Sequence, residues 1–282
     1  MLRKEDEDVR LRCPVCAAPL TEEDKRFFCG HGHSFDKARE GYVHLLSSRH
    51  MNSKIPGDNK EMVSARARFL SAGYYAPLAE RLCALCLDVG EGQRAAILDA
   101  GCGEGYYTQK IYDGMHLHGR PPDMLGVDIS KAAVKLASRR LPQARFAVAS
   151  VFELPVFDQT FDAVVNVSAP VCEGEVFRVL KPGGRAFFAI PSTRHLMGLK
   201  ELIYDEPYEN DVKDFAITGL CRLGIEKVRF RAVIDGADML KSLFMMTPYY
   251  YRSPFGALEK LAAAERLETE VDFDIHIFEK DR

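Results

Sequence analysis

The sequence predicts an α/β protein, a mostly parallel sheet flanked by helices and preceded by a small metal-stapled module. Three observations carry this. From Arg94 to Ile190 short apolar runs alternate with helical stretches, as in strand–helix–strand crossovers. Two of the runs end in an acid, and the first passes straight into a glycine turn. Ahead of them, two tight pairs of Cys and His residues occupy a segment with few apolar residues to build a core.

The 282 residues suit one large domain, or one domain with a small module, and 47% apolar against 28% charged residues is ordinary globular composition. A net charge of -3 excludes a chain-wide basic character, so any nucleic-acid contact must come from local basic residues. No apolar run approaches the roughly 18 residues of a membrane helix. The start, Met1 to Asp8, has no apolar core of a signal peptide. A cytoplasmic protein is therefore expected, with its eight cysteines as thiols or metal ligands rather than a disulfide framework.

Taken in order, residues 1–46 form the expected zinc-binding module and 47–60 a polar linker with a turn at Pro56-Gly57-Asp58. Residues 61–282 form the main domain. Met62, Ala65, Phe69 and Leu70, then Leu78, Leu82 and Leu85, recur at helical spacing. Strands follow at Ala95–Asp99, Asp123–Asp128, Arg145–Ala149 and Phe161–Val167, and the Lys181-Pro182-Gly183-Gly184 turn leads into Arg185–Ile190. In the tail, Lys227–Ile234 reads as a strand and Gly236–Met245 as a helix. Val271, Phe273, Ile275 and Ile277 alternate with Asp272, Asp274 and His276, as in an antiparallel edge or hairpin strand.

Leu98-Asp99-Ala100-Gly101-Cys102-Gly103-Glu104-Gly105 joins a strand to a helix. Glycines admit close backbone approach, and the following helix start offers free N–H groups. A dinucleotide fingerprint from Gly101 would need glycine where Tyr106 stands. Asp99, two residues ahead of Gly101, would repel a pyrophosphate but suits the cationic methionine end of S-adenosylmethionine. Asp128, 23 residues after Gly105, is placed to accept the ribose hydroxyls; the alternative is that it caps the helix near Ser130. The loop resembles motif I of class I S-adenosylmethionine-dependent methyltransferases, and Asp128 resembles the acid of their second strand. That resemblance implies a Rossmann-like, seven-stranded, mostly parallel sheet with an antiparallel last strand.

Cys13 and Cys16 form a Cys-x-x-Cys pair, Cys29 follows after twelve intervening residues, and His31 and His33 both stand close behind it. This is the spacing of a closed, structural tetrahedral zinc site, and spacing alone does not choose between the histidines. Cys83 and Cys86, in an apolar helical run, read as core cysteines. Cys102 in the loop does not read as a nucleophile.

Two basic stretches could contact phosphate: Arg49, Lys54, Lys60, Arg66 and Arg68 in one, Lys131, Lys135, Arg139, Arg140 and Arg145 in the other. A solvated helix face explains them equally well. The combination of Cys13-Pro14-x-Cys16, Cys29-x-x-x-His33-x-Phe35-Asp36, Glu40-Gly41-Tyr42-Val43, Pro56-Gly57-Asp58, Gly101-Cys102-Gly103-Glu104-Gly105-Tyr106-Tyr107-Thr108 and Pro191-x-x-Arg194-His195-Leu196 resembles the RlmA-type 23S rRNA guanine-N1 methyltransferases over nearly the whole chain. The resemblance implies methylation at N1 of a guanine in a 23S rRNA hairpin loop lining the peptide exit tunnel, with a bearing on macrolide sensitivity. It also implies a homodimer, His33 as fourth zinc ligand, and cofactor contacts at Tyr75, Tyr107, Thr108 and His195 beside Asp99, Gly101, Gly103 and Asp128.

Transfer from a sulfonium requires an in-line approach and loss of the N1 proton, but no acid for the leaving thioether. Asn166-Val167-Ser168-Ala169-Pro170 ends the fourth strand, where an acceptor base is met; Asn166 is a candidate for orienting the guanine and Glu173 for its base. The alternatives are a methyltransferase acting on a small molecule, which needs neither zinc module nor basic stretches, and a non-catalytic rRNA-binding protein with a dead cofactor site. Measured S-adenosylmethionine binding separates the last from the enzymes.

Overall fold

The computed structural model describes residues 11–47, 57–90, 94–212 and 215–282. Most of the expected linker, with Arg49 and Lys54, lies outside the described residues. The N-terminal segment holds strands β1 (Thr21–Glu22), β2 (Arg26–Phe28) and β3 (Ser34–Asp36), which form a small antiparallel sheet, and β4 (Val43–His44). Helices α1 (Lys60–Ser71) and α2 (Ala76–Leu87) follow. Asn59 starts α1 by accepting the N–H groups of Glu61 and Met62 at 2.9 and 3.0 Å, a cap worth about 1 kcal/mol. Pro77 stands in the first turn of α2, where its missing N–H costs nothing.

The main domain alternates as expected: β5 (Ala96–Ala100), α3 (Tyr106–Leu117), β6 (Asp123–Asp128), α4 (Lys131–Arg140), β7 (Arg145–Val148), β8 (Phe161–Val167), α5 (Glu173–Val179), β9 (Leu180–Pro191) and α6 (Met197–Ile203). Then come β10 (Leu220–Asp235), α7 (Ala237–Met245), α8 (Tyr249–Arg252), α9 (Ala257–Ala263) and β11 (Arg266–Lys280). The sheet order is β10-β11-β9-β8-β5-β6-β7-β4. β11 is antiparallel to both neighbours and the other pairs are parallel. β5 is buried along its whole length, as a central parallel strand covered on both faces must be.

Three findings refine the sequence reading. The seven expected strands are present, the last one antiparallel, and β4 from the N-terminal segment adds an eighth by pairing parallel with β7. That segment also shares its core: Leu11, Phe27, Val43 and Leu45 pack in one cluster with Leu98 and Leu125. A segment too poor in apolar residues for its own core borrows one. Finally, of the two expectations for β11, edge or hairpin partner, the second holds, since it pairs antiparallel with β10. It lies between β9 and β10, and its polar face is covered, with Asp272 and His276 buried. The edge is β10. No helix among the described residues is long and apolar enough to cross a membrane.

Candidate cofactor cleft and metal centre

The glycine turn sits at the carboxyl end of β5, where α/β sheets place their ligands. Gly101 has φ of +86°, and a Cβ there would meet the Ala169 Cβ at 2.3 Å, so only glycine lets the turn pass beneath the loop after β8. Gly105, also left-handed, starts α3. Above the turn opens a cleft of about 1090 Å³. Of the predicted cofactor residues, Tyr75, Gly101, Gly103, Tyr107 and His195 line it.

Asp99, Thr108 and Asp128 stand behind that lining. Asp99 is 2% exposed and accepts the Thr108 hydroxyl at 2.5 Å beneath the turn. Asp128 accepts the Gly103 N–H at 3.0 Å with one oxygen and the Ser130 N–H at 2.7 Å with the other. It is therefore not the cap of α4; Ser130 is, through its own hydroxyl to the Ala133 N–H. Each Asp128 oxygen keeps a lone pair for a ribose hydroxyl. Sequence reasoning missed Glu104, which is 1% exposed and lines the cleft. One of its oxygens accepts the Tyr106 N–H, while the other, Oε1, is buried without a hydrogen-bond partner.

The electrostatic consequence is a cluster of three buried carboxyls around one turn. Burial pushes Asp99 up to about 7; the Thr108 hydroxyl opposes this, and the charges of Asp128 and Glu104 add to it. Burial also raises Asp128 and Glu104. Such a cluster favours a cation in the space above it. Arg66 partly answers that need: it pairs with Asp58 at 2.9 Å, and its guanidinium lies 3.7 Å from where a Gly103 Cβ would be.

Tyr75 and His195 form a buried pair on the opposite wall. The Asp272 N–H donates to His195 Nδ1 at 3.3 Å, which leaves the ring proton on Nε2, 3.4 Å from the Tyr75 hydroxyl. Burial pushes His195 down to about 3, so the ring is neutral at physiological pH.

Asn166 lines the cleft, but its side chain is engaged with the loop. Its amide donates to Ala100 and Pro170 carbonyls and its oxygen accepts the Ala169 N–H, so its side chain shapes the loop. Glu173 binds the Thr218 N–H and hydroxyl and is absent from the cleft lining. Among the carboxylates that do line the cleft, Asp58 pairs with Arg66 and Glu209 with Arg194 at 3.1 Å. Asp211 lines it with no partner among the described residues. Nothing in the sequence pattern marked Asp211, since it lies on an irregular segment between α6 and β10.

Several residues of the basic stretches have partners within the chain. Lys135 and Arg139 pair with Glu40, and Arg145 with Asp123 and Glu22. Arg140 bonds Ser71 and lies 3.8 Å from Glu104, and Arg68 bonds Ser242. Most of these cations tie elements together. Cys83 and Cys86 are buried in α2, and Cys102 is buried with its thiol pushed far up, which leaves it no nucleophilic character.

In the N-terminal segment the ligand atoms of Cys13, Cys16, Cys29 and His33 all lie within 4.8 Å of one another. Cys16 and Cys29 sulfurs are 3.7 Å apart, close to the ~3.8 Å edge of a tetrahedron with ~2.3 Å Zn–S bonds. His33 Nδ1 is 3.4 and 3.6 Å from the Cys29 and Cys13 sulfurs, against a sulfur–nitrogen edge of roughly 3.6 Å. The geometry gathers His33 into the set and fits a four-coordinate zinc ion with no open position.

Comparison with known proteins agrees with both sites. Residues 11–54 match the family described as RlmA, N-terminal, a zinc ribbon, and residues 97–184 match a methyltransferase domain. A 23S rRNA (guanine(748)-N(1))-methyltransferase of Streptomyces fradiae is 38% identical over 195 residues, 68% of this chain and 67% of that protein. A protein of Micromonospora griseorubida, provisionally named a 23S rRNA (guanine-N(1)-)-methyltransferase, is 36% identical over 67% of this chain and 68% of its own length. A Bacillus subtilis protein provisionally given the same activity is 29% identical over 94% of this chain and 95% of its own length. With a glycine turn ringed by carboxyls at the carboxyl end of a parallel sheet, and a Cys3His cluster ahead of it, the chain belongs to the family of 23S rRNA (guanine-N(1)-)-methyltransferases.

Proposed function

We propose that this protein transfers a methyl group from S-adenosylmethionine to N1 of a guanine in a hairpin loop of 23S rRNA. The observation that carries the reading is one cleft lined by two unlike sets of residues: the glycine turn with Glu104, and Tyr208, Tyr249 and Tyr251 with the Asp211 carboxylate. Its volume of about 1090 Å³ reaches the top of the roughly 300–1,000 Å³ typical of single small-molecule sites, room for a cofactor and a base together.

In this reading residues 61–282 are the catalytic domain, 1–46 a zinc-binding module held by Cys13, Cys16, Cys29 and His33, and 47–60 the connection. S-adenosylmethionine, when bound, supplies a methyl group made electrophilic by the sulfonium. The chain's own residues do the rest. Asp99, with Glu104, sets a negative potential under the methionine end, and Thr108 holds the Asp99 carboxyl in place. Asp128 takes the ribose hydroxyls. Gly101 and Gly103 allow close approach, while Tyr75, Tyr107 and His195 close the cleft against water. Neutral His195 adds no charge beside the sulfonium. Asp211 accepts the N1 proton as the base attacks, a role worth about 10²–10⁴-fold in rate. A loop base can be splayed from its stack at low cost, which suits a cleft of this depth. The protein acts in the cytoplasm, where rRNA is made, and the resemblance extends to a homodimer, which sedimentation of the purified chain tests.

Primer extension on 23S rRNA tests the substrate, because N1 methylation blocks base pairing and stops the polymerase. Cells lacking the gene are expected to lose one stop in a hairpin loop. Wild-type protein should restore it, and Asp211→Asn should restore it poorly. A stop that persists without the gene contradicts the reading.

A further inference from the structure

Lys200 is buried completely, 0% exposed, yet among the described residues it pairs with no carboxylate. Burial lowers its affinity for a proton. Its ammonium donates to the Tyr208 carbonyl at 2.8 Å and to Asn210 Oδ1 at 2.7 Å. It also lies 4.5 Å from the Tyr208 ring centre and 5.6 Å from that of Tyr249. Both rings line the cleft. A desolvated cation of this kind is costly unless these contacts repay it, and all but the Tyr249 contact fix the short stretch from Tyr208 to Asn210.

That stretch reaches the cofactor wall. Asn210 donates through its side chain to the Ser192 carbonyl at 2.8 Å and through its backbone to the Thr193 carbonyl at 2.9 Å. Ser192 and Thr193 lead directly into His195. One ammonium therefore links the tyrosine wall to the segment bearing His195.

We propose that Tyr208 and Tyr249 are the stacking wall for the acceptor guanine, and that Lys200 is the positioning residue that holds them. The inference rests on the methyltransferase reading above and names the side chains that take its substrate. Tyr208 has the ammonium against one side and is 50% exposed, which leaves ring surface open to the cleft. Tyr251, 65% exposed, and Arg252 continue the lining, and Arg252 has no ion pair among the described residues. Aromatic rings interleaved with an unpaired cation are the chemistry that receives a splayed nucleotide and its phosphate. Rings fixed in advance also keep N1 in line with the methyl group.

The test is steady-state methylation of a 23S rRNA hairpin transcript by the full chain, with S-adenosylmethionine binding measured separately by calorimetry. Tyr208→Ala is expected to lower kcat/KM for the RNA tenfold or more while cofactor affinity stays within twofold, and Tyr208→Phe to restore it. Lys200→Met is expected to lower kcat/KM for the RNA in the wild-type background and to cost clearly less when added to Tyr208→Ala, because part of its effect passes through that ring. If the Lys200 variant does not fold, the exposed Tyr208 pair still decides. Tyr208→Ala within twofold of an active wild type overturns this inference alone. A wild type that binds cofactor but methylates no RNA overturns the function reading, and this inference with it.

Discussion

At the scale of residues, the site is governed by carboxyls that share one turn. Asp99 sits under Thr108, and its proton affinity is lifted to about 7 mainly by burial. In the free protein Asp99 therefore holds a proton below that pH, whereas a cationic ligand favours the ionised form. Binding must release the proton, so affinity for S-adenosylmethionine rises with pH. A carboxyl with pKa near 7 is about one-tenth ionised at pH 6 and nine-tenths at pH 8, which gives roughly a tenfold change in Kd across that range. Calorimetry at several pH values checks this, and Asp99→Asn should flatten the profile. His195, held down at about 3, contributes no step between pH 5 and 8. Asp99, Asp128 and the glycines were legible because they are local to a strand end and a turn. Glu104 was visible in the same motif, but only its burial and unpartnered oxygen gave it a meaning. Lys200 stood at the end of the motif that begins at Pro191, Leu196-x-x-Leu199-Lys200, with no role attached, and Asp211 carried no local signal; the roles proposed for both depend on residues brought together by the fold.

At the scale of elements, the N-terminal segment works as part of the main sheet. Its cysteines and His33 fit a metal that holds β1 to β3, while β4 extends the sheet at β7 and Leu45 donates to the Val148 carbonyl. Metal affinity in such a segment is folding free energy. Chelation is expected to expose residues 11–47 to protease within minutes while β5 to β9 stay protected, because the central strands keep their own partners. Limited proteolysis with and without chelator reads this. Equal protection in both samples would show that the borrowed core alone holds the segment. The parallel strands were readable from apolar runs ending at turns. β4 was not, because a two-residue strand has no periodicity, and its pairing with β7 spans a hundred residues of sequence. The interior place of β11 was hidden for a different reason. Its alternating face looked solvated, but Arg229 and the loop from Ser192 to Arg194 bind both Asp272 oxygens and one of Asp274.

At the scale of the whole molecule, the proposed function brings two binding events to one opening. The net charge of -3 gives the chain no overall attraction for a polyanion, and Lys135, Arg139 and Arg145 are paired with carboxylates. In the proposed reading, selection falls to the cleft that Glu104, Tyr208 and Tyr249 line. The most direct measurement supplies purified protein with isotopically methyl-labelled S-adenosylmethionine and protein-free 23S rRNA, then digests the RNA and identifies the labelled nucleoside by mass spectrometry. The account predicts that the label appears as 1-methylguanosine. Label in any other nucleoside, or none in the RNA while the cofactor binds, would contradict it.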